Sequence, residues 1–134
     1  MNRKKLISAV QEICLAKGYA FCVLDSAQLP VHTPPMPAAV LIHPTFRSIE
    51  GRNHGRITYR VTLYLFEQGA RLQPSETCEK VVALESVMLD IFSQLSENES
   101  VAVVDNLQME QMQNVKLGRK EVALAATADV EVIF

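Results

Sequence analysis

The side chains able to do chemistry in this chain are few and scattered. His32, His43 and His54 are its only histidines. They fall in a proline-rich stretch, at a strand end and in a glycine-flanked turn, without HxH or HExxH spacing. A zinc site would need several of them to converge with a cysteine or carboxylate from distant segments, so they read as unpaired surface histidines. Cys14, Cys22 and Cys78 contain no CxxC pair, which removes zinc-ribbon and thioredoxin-like chemistry. Cys14 and Cys78 fall on apolar faces of predicted helices, where a free cysteine packs as a small hydrophobe. The three read as reduced and structural. The serines lie in helices, at their ends and in loops, with no GxSxG elbow. Asp25, Asp105 and Asp129 are spread over different strands, and Asp129 and Glu131 share an outward strand face that reads as solvated. Gly51-Arg-Asn-His-Gly55 has two glycines but neither the strand-to-helix setting nor the lysine of a phosphate loop. The expectation is a non-enzyme with no catalytic residue, cofactor or metal.

What remains is recognition chemistry. Arg47, Arg52 and Arg56 crowd a polar, turn-rich stretch against Glu50 alone, a local basic excess in a chain of net charge −2. Arginine is favoured in protein interfaces and pairs well with carboxylates, so this stretch reads as either a protein–protein contact or a solvated loop. Arg60, Tyr64 and Phe66 on the next strand share one parity with Arg56 and complete the candidate interface. Met109-Glu-Gln-Met112 reads as strand packing rather than a promiscuous binding surface.

These residues need elements to position them. A length of 134 residues fits one domain able to bury a core without staples. Sparse aromatics, with no Trp, argue against stacking on single-stranded nucleic acid, and the net charge argues against bulk DNA binding. The basic N-terminus is followed by Ser8, Gln11, Glu12 and Lys17, which interrupt any signal-like apolar run. Asn98-Glu-Ser100 fits a glycosylation sequon, without meaning outside a secretory setting. No stretch approaches the roughly 18 apolar residues of a membrane span.

Leu6, Val10, Ile13 and Cys14 predict an amphipathic helix over 2–17, ended by Gly18. Residues 19–25 predict a short strand. Residues 28–37 hold four of the six prolines and predict a rigid extended connector inside the domain. Residues 38–46 predict a strand, and 47–56 a long hairpin arm with a turn-rich tip. Over 57–66, Ile57, Tyr59, Val61, Leu63 and Leu65 face a core. Thr58, Arg60, Thr62, Tyr64 and Phe66 form a mixed face, wet or covered by a neighbour. Pro74-Ser-Glu-Thr opens a second helix, capped by Ser75 or Thr77. Its apolar stripe is Cys78, Val81, Val82, Met88, Leu89, Phe92 and Leu95, broadened by Leu84 and Ile91. Residues 101–117 predict a strand with a bulge near 111–113, and 121–134 a closing strand with Val122, Leu124, Ala126, Ala128, Val130, Val132 and Phe134 on one face. The fold expected is α+β, a mostly antiparallel sheet packed against two helices in the order α-β-β-β-α-β-β.

That order, carried by the helix around residues 6–17, the strands over 38–43 and 57–66, the helix over 75–95 and the closing strand, resembles the small tail-terminator and tail-completion proteins of long-tailed bacteriophages, and related prophage head–tail neck proteins. The resemblance implies an α/β domain that forms a ring, commonly hexameric, through contacts with itself. It also implies tail-tube or neck proteins as partners, and a place in a virion or phage-like particle assembled in the bacterial cytoplasm. No active site, specific nucleic acid or membrane partner is implied. The other reading of the residues is a small ligand-binding or regulatory module of ferredoxin-like character, in which Thr58, Arg60, Thr62 and Tyr64 line a polar pocket.

Overall fold

The protein is described by a computed structural model over residues 3–25, 35–51, 55–68, 74–112 and 121–133. Its elements run α1 (Arg3–Ala16), β1 (Ala20–Leu24), β2 (Ala38–Glu50), β3 (Arg56–Gln68), α2 (Pro74–Ser96), β4 (Val101–Met112) and β5 (Glu121–Ile133). The fold is α+β. One five-stranded sheet has the order β1-β2-β3-β5-β4, parallel between β1 and β2 and antiparallel elsewhere.

β3 and β4 run in the same direction, because each is antiparallel to β5. The β3–α2–β4 segment is therefore a crossover with the last strand inserted into the gap it leaves, a split βαβ arrangement. The final strand, expected to close the sheet, lies inside it, paired over its whole length with β3. Between its two neighbours β5 presents the small side chains of Ala123, Ala125, Ala126 and Ala128.

α1 ends where Gly18 takes φ +85°. Gly18 N–H donates to Leu15 O and Tyr19 N–H to Cys14 O, at 3.0 and 3.1 Å, the paired bonds of a Schellman cap. A Cβ at Gly18 would meet nothing within 4 Å, so the requirement for glycine is conformational. α2 opens on Pro74 itself, whose missing N–H is harmless in a first turn. Ser75 and Thr77 thus lie inside the helix and not at its cap. Both helices pack on one sheet face, and Lys17 pairs with Asp90 to join them.

The main core lies between the helices and that face. Leu6, Val10 and Cys14 from α1 and Leu84, Met88, Ile91 and Leu95 from α2 meet Tyr59, Val61, Leu63 and Leu65 of β3 and the even residues Val122–Val132 of β5. The face of α2 is narrower than the expected stripe: Val81, Leu84, Met88, Ile91, Phe92 and Leu95 are buried, whereas Cys78 is exposed and Val82 and Leu89 are more than half exposed. Leu84, Met88, Ile91 and Leu95 recur at spacings of three and four, and it is their line that meets the sheet.

Two strand predictions change. The ladder between β2 and β3 continues to Glu50↔Arg56, so residues 47–50 are strand and the connection is 51–55, opened by Gly51 at φ +92°. The expected hairpin arm is thus built of paired strand as far as Glu50 and Arg56, with two register shifts along β2, and residues 52–54 at its tip lie outside the described residues. In β4 the pairing is regular through Gln111 and Met112, and Gln113 lies outside the described residues. Register shifts fall between Val101 and Val103 and between Asp105 and Gln108, with Asn106 at φ +54°. Each shift reverses the strand's parity, which is why Val101, Val104, Leu107 and Met109 all contact the core despite their mixed spacing. Most of the expected proline connector, the turn at 118–120 and Phe134 lie outside the described residues.

Candidate functional site

The second sheet face carries no helix among the described residues. Its side chains are the opposite parity of β3 (Arg56, Thr58, Arg60, Thr62, Tyr64, Phe66) and of β5 (Ala123, Ala125, Thr127, Asp129, Glu131), as the register of these strands requires. The face grades from apolar to charged. At one end Leu24, Ala38, Val40, Phe66 and Ala123 form a buried cluster, with Cys22, Met36, Ile42 and Tyr64 packed on it. Tyr64 and Phe66 stack at 6.1 Å with an interplanar angle of 11°.

At the other end Asp129 is the centre of a polar group. Asn106 Nδ2 donates to its Oδ2 at 3.0 Å, and Arg60 Nε to its Oδ1 at 3.4 Å. These donors, the Asn106 amide first and then Arg60 with some help from Arg47, hold the Asp129 carboxyl below its usual range against the opposing effect of burial. The β4 bulge makes this possible. Asn106 reaches the left-handed region that asparagine tolerates, its N–H caps onto Asp105 Oδ1 at 2.9 Å, and its amide is thereby aimed at β5.

Two clefts of about 270 Å³ each lie along β5 on this face. One is lined by Arg60, Asn106, Gln108, Thr127 and Asp129, the other by Gln108, Met109, Glu110, Ala125 and Thr127. They share Gln108 and Thr127 and so form one trough. Small residues of β5 make its floor, Arg60 stands on the β3 side, and the amides and carboxylates of β4 make the opposite wall.

Of the six candidate interface residues, Arg56, Arg60 and Tyr64 are placed on this face and keep exposed surface. Arg47 is the extra residue of a β2 bulge, exposed, between Phe46 and Ser48. Phe66 is fully buried and acts as the interior of the apolar cluster. Arg52 lies outside the described residues. Asp129 and Asn106 were not singled out for the interface; the only signal in the chain was that Asp129 shares the outward parity of β5 as Arg60 does of β3.

The helix side offers one further cleft, of about 310 Å³, lined by Tyr19, Glu67, Lys80, Ala83, Leu84 and Val87. Tyr19 Oη donates to Glu67 Oε1 at 3.5 Å. Burial, and then the Glu67 carboxylate, push the Tyr19 hydroxyl up to about 12. Lys80 Nζ donates to Gln68 O at 2.6 Å. Tyr59 closes the far end of this layer, with Phe46 edge-on at 6.3 Å and the Arg3 guanidinium 5.7 Å over its ring.

Of the histidines, His43 is described: its Nε2 lies 3.9 Å from Asp25 Oδ1, with both side chains more than half exposed. Among the described residues no group of three or more His, Cys, Asp or Glu is arranged to hold a metal ion, and no helix is long and apolar enough to cross a membrane. In comparison with known proteins, no family model matches the chain and no curated relative matches it.

Proposed function

We propose that this chain is a non-catalytic assembly protein that forms a ring by repeated contact with itself, as a tail terminator or head–tail connector component of a phage or phage-like particle. The observation that carries this reading is the sheet with one face covered by both helices and the other, among the described residues, without any, where stacked aromatics pass into an Arg–Asp–Asn group and a trough. A monomer with no use for such a face would cover it or make it uniformly polar. The element order supports the phage assignment, with tail-tube or neck proteins as the further partners.

Light scattering coupled to size exclusion, run over a range of protein concentration and ionic strength, tests the reading. A closed oligomer of fixed size is expected. A persistent monomer that also fails to bind tail-tube protein would overturn it.

A second reading, a ligand-binding module of ferredoxin-like character, draws on the helix-side cleft. Its volume reaches the lower end of the roughly 300–1,000 Å³ typical of small-molecule sites, with Tyr19, Glu67 and Lys80 as polar groups over Leu84 and Val87. Thermal-shift screening against metabolites discriminates, since a specific ligand raises the midpoint by mass action.

A further inference from the structure

The core runs out of cover at one corner of the helix side. Across the sheet, Ile49 faces Ile57, Ile57 faces Val132 and Val132 faces Val101. Val132 and Val101 are buried, Ile57 is half-buried and Ile49 is 55% exposed. The neighbouring rung repeats the gradient: Val130 and Tyr59 are buried, but Phe46, opposite Tyr59, is 49% exposed. Phe46 and Ile49 are three residues apart yet share a face. The register shift between Phe46 and Ser48 sets them against Tyr59 and Ile57, which are two apart. Phe46, Ile49 and Ile57 thus form an apolar patch continuous with the core. Beside it Arg3 of α1 holds its guanidinium over Tyr59, with Lys4 exposed next to it in the chain. An exposed apolar patch rimmed by charge marks a contact with another molecule.

The chain carries a surface of matching chemistry. Val82 and Leu89, each more than half exposed, lie on one line of α2, two turns and roughly 10 Å apart. Glu85 is exposed between them, and α2 holds Glu76, Glu79, Glu85 and Asp90 against Lys80 alone. This stripe is apolar with an acidic surround, and the patch is apolar with a basic one. Val103 and Ile133 are also exposed, but Arg56 stands opposite Ile133 in the ladder and would set a second cation against Arg3.

Resting on the assembly reading, we infer that Phe46, Ile49 and Ile57 of one copy pack on Val82 and Leu89 of the next, with Arg3 turned toward Glu85. The occupant of the patch is thus a second copy of this chain. Like charges oppose the two symmetric alternatives, patch on patch and stripe on stripe. The contact is heterologous, joining two different surfaces, which is the type that closes into a ring when its rotation allows.

The test uses the full chain in two forms, a patch variant (Phe46→Ser with Ile49→Thr) and a stripe variant (Val82→Gln with Leu89→Gln). All four positions are exposed, and a retained thermal midpoint checks the fold. Sedimentation is expected to show each variant alone self-associating at least about tenfold more weakly than the wild type. An equimolar mixture forms one-to-one pairs and stops there, because only the stripe of the patch variant and the patch of the stripe variant can still meet. Arg3→Glu weakens association, and adding Glu85→Arg to the same chain restores it, which a loss of fold would not allow. A stripe variant that associates like the wild type, as in a patch-on-patch dimer, overturns the inference and leaves the assembly reading intact. A mixture that forms no pairs overturns it too. A wild type that is monomeric at every concentration removes the reading, and the inference with it.

Discussion

Phe66→Ala separates a core residue from a contact residue. Phe66 has no exposed surface, stacks on Tyr64 and lies in the cluster of Leu24, Ala38, Val40 and Ala123. Two of those neighbours are alanines, and Ala38 and Ala123 are its cross-strand partners, so neither can move a long side chain into the space left by the ring. Truncation should therefore lie within the usual Phe→Ala range, about 3–4 kcal/mol, a large share of the roughly 5–15 kcal/mol that holds a domain together. In urea, with a slope of about 2 kcal/mol/M for a chain of this size, the midpoint should fall by about 1.5–2 M at unchanged slope. Circular dichroism at a protein concentration where the wild type does not associate measures this without interference from assembly. Tyr64→Ala is the companion: half-buried, it should cost less stability and weaken association more. A Phe66→Ala protein that keeps its urea midpoint but loses association would refute the reasoning, because Phe66 would then be filling space in a partner rather than in its own fold.

Two other outcomes follow from the local chemistry. The Asp129 carboxyl titrates below its ordinary range, so its contribution to stability is present above the unfolded-state carboxylate pKa of about 3.9 and is lost as pH falls through the lower folded value. Carboxyl-carbon NMR titration should show both Asn106→Ala and Arg60→Gln raising it, since each donor favours the charged form; no change with Asn106→Ala would mean that the bulge does not aim Asn106 at β5. Thiol labelling under native conditions should modify Cys78 first, Cys22 slowly and Cys14 only on unfolding, because Cys78 is exposed while burial pushes Cys14 up to about 12 and raises Cys22 as well. Equal labelling rates for Cys14 and Cys78 would contradict the placement of α1.

What was legible in the sequence was whatever depends on near neighbours along the chain. The alternation of β3 and β5 is clean because both are interior strands with one face on the core, and α1 is marked by Leu6, Val10 and Cys14 and stopped by Gly18. α2 was legible as a helix with most of its buried face, but not in how wide that face is. Val82 and Leu89 sit beside the buried line of Leu84, Met88, Ile91 and Leu95, and only tertiary packing decides which of two adjacent apolar stripes meets the sheet. β4 was misread in detail because two bulges each exchange its faces, and a bulge has no strong residue signature apart from an asparagine that tolerates positive φ. The insertion of β5 between β3 and β4 is a matter of topology, which no local pattern encodes. The Arg60–Asp129 contact joins residues 69 apart. Parity could say that each faced outward, but not that they faced each other.

The guarded edges and the open face belong to one physical problem. A sheet whose outer strands were long and regular would add further copies edge to edge, and nothing in that contact stops growth. Here the outer strands are short or bulged, and Pro44 removes a donor where β2 leaves the cover of β1. Backbone pairing, which any extended chain can satisfy, is thereby disfavoured at these edges. The bulges in β2 and β4 thus matter twice over. In β4 the bulge forms the wall of the trough through Asn106 and Gln108, and in β2 it exposes Arg47, while both deny the edge to a stray strand.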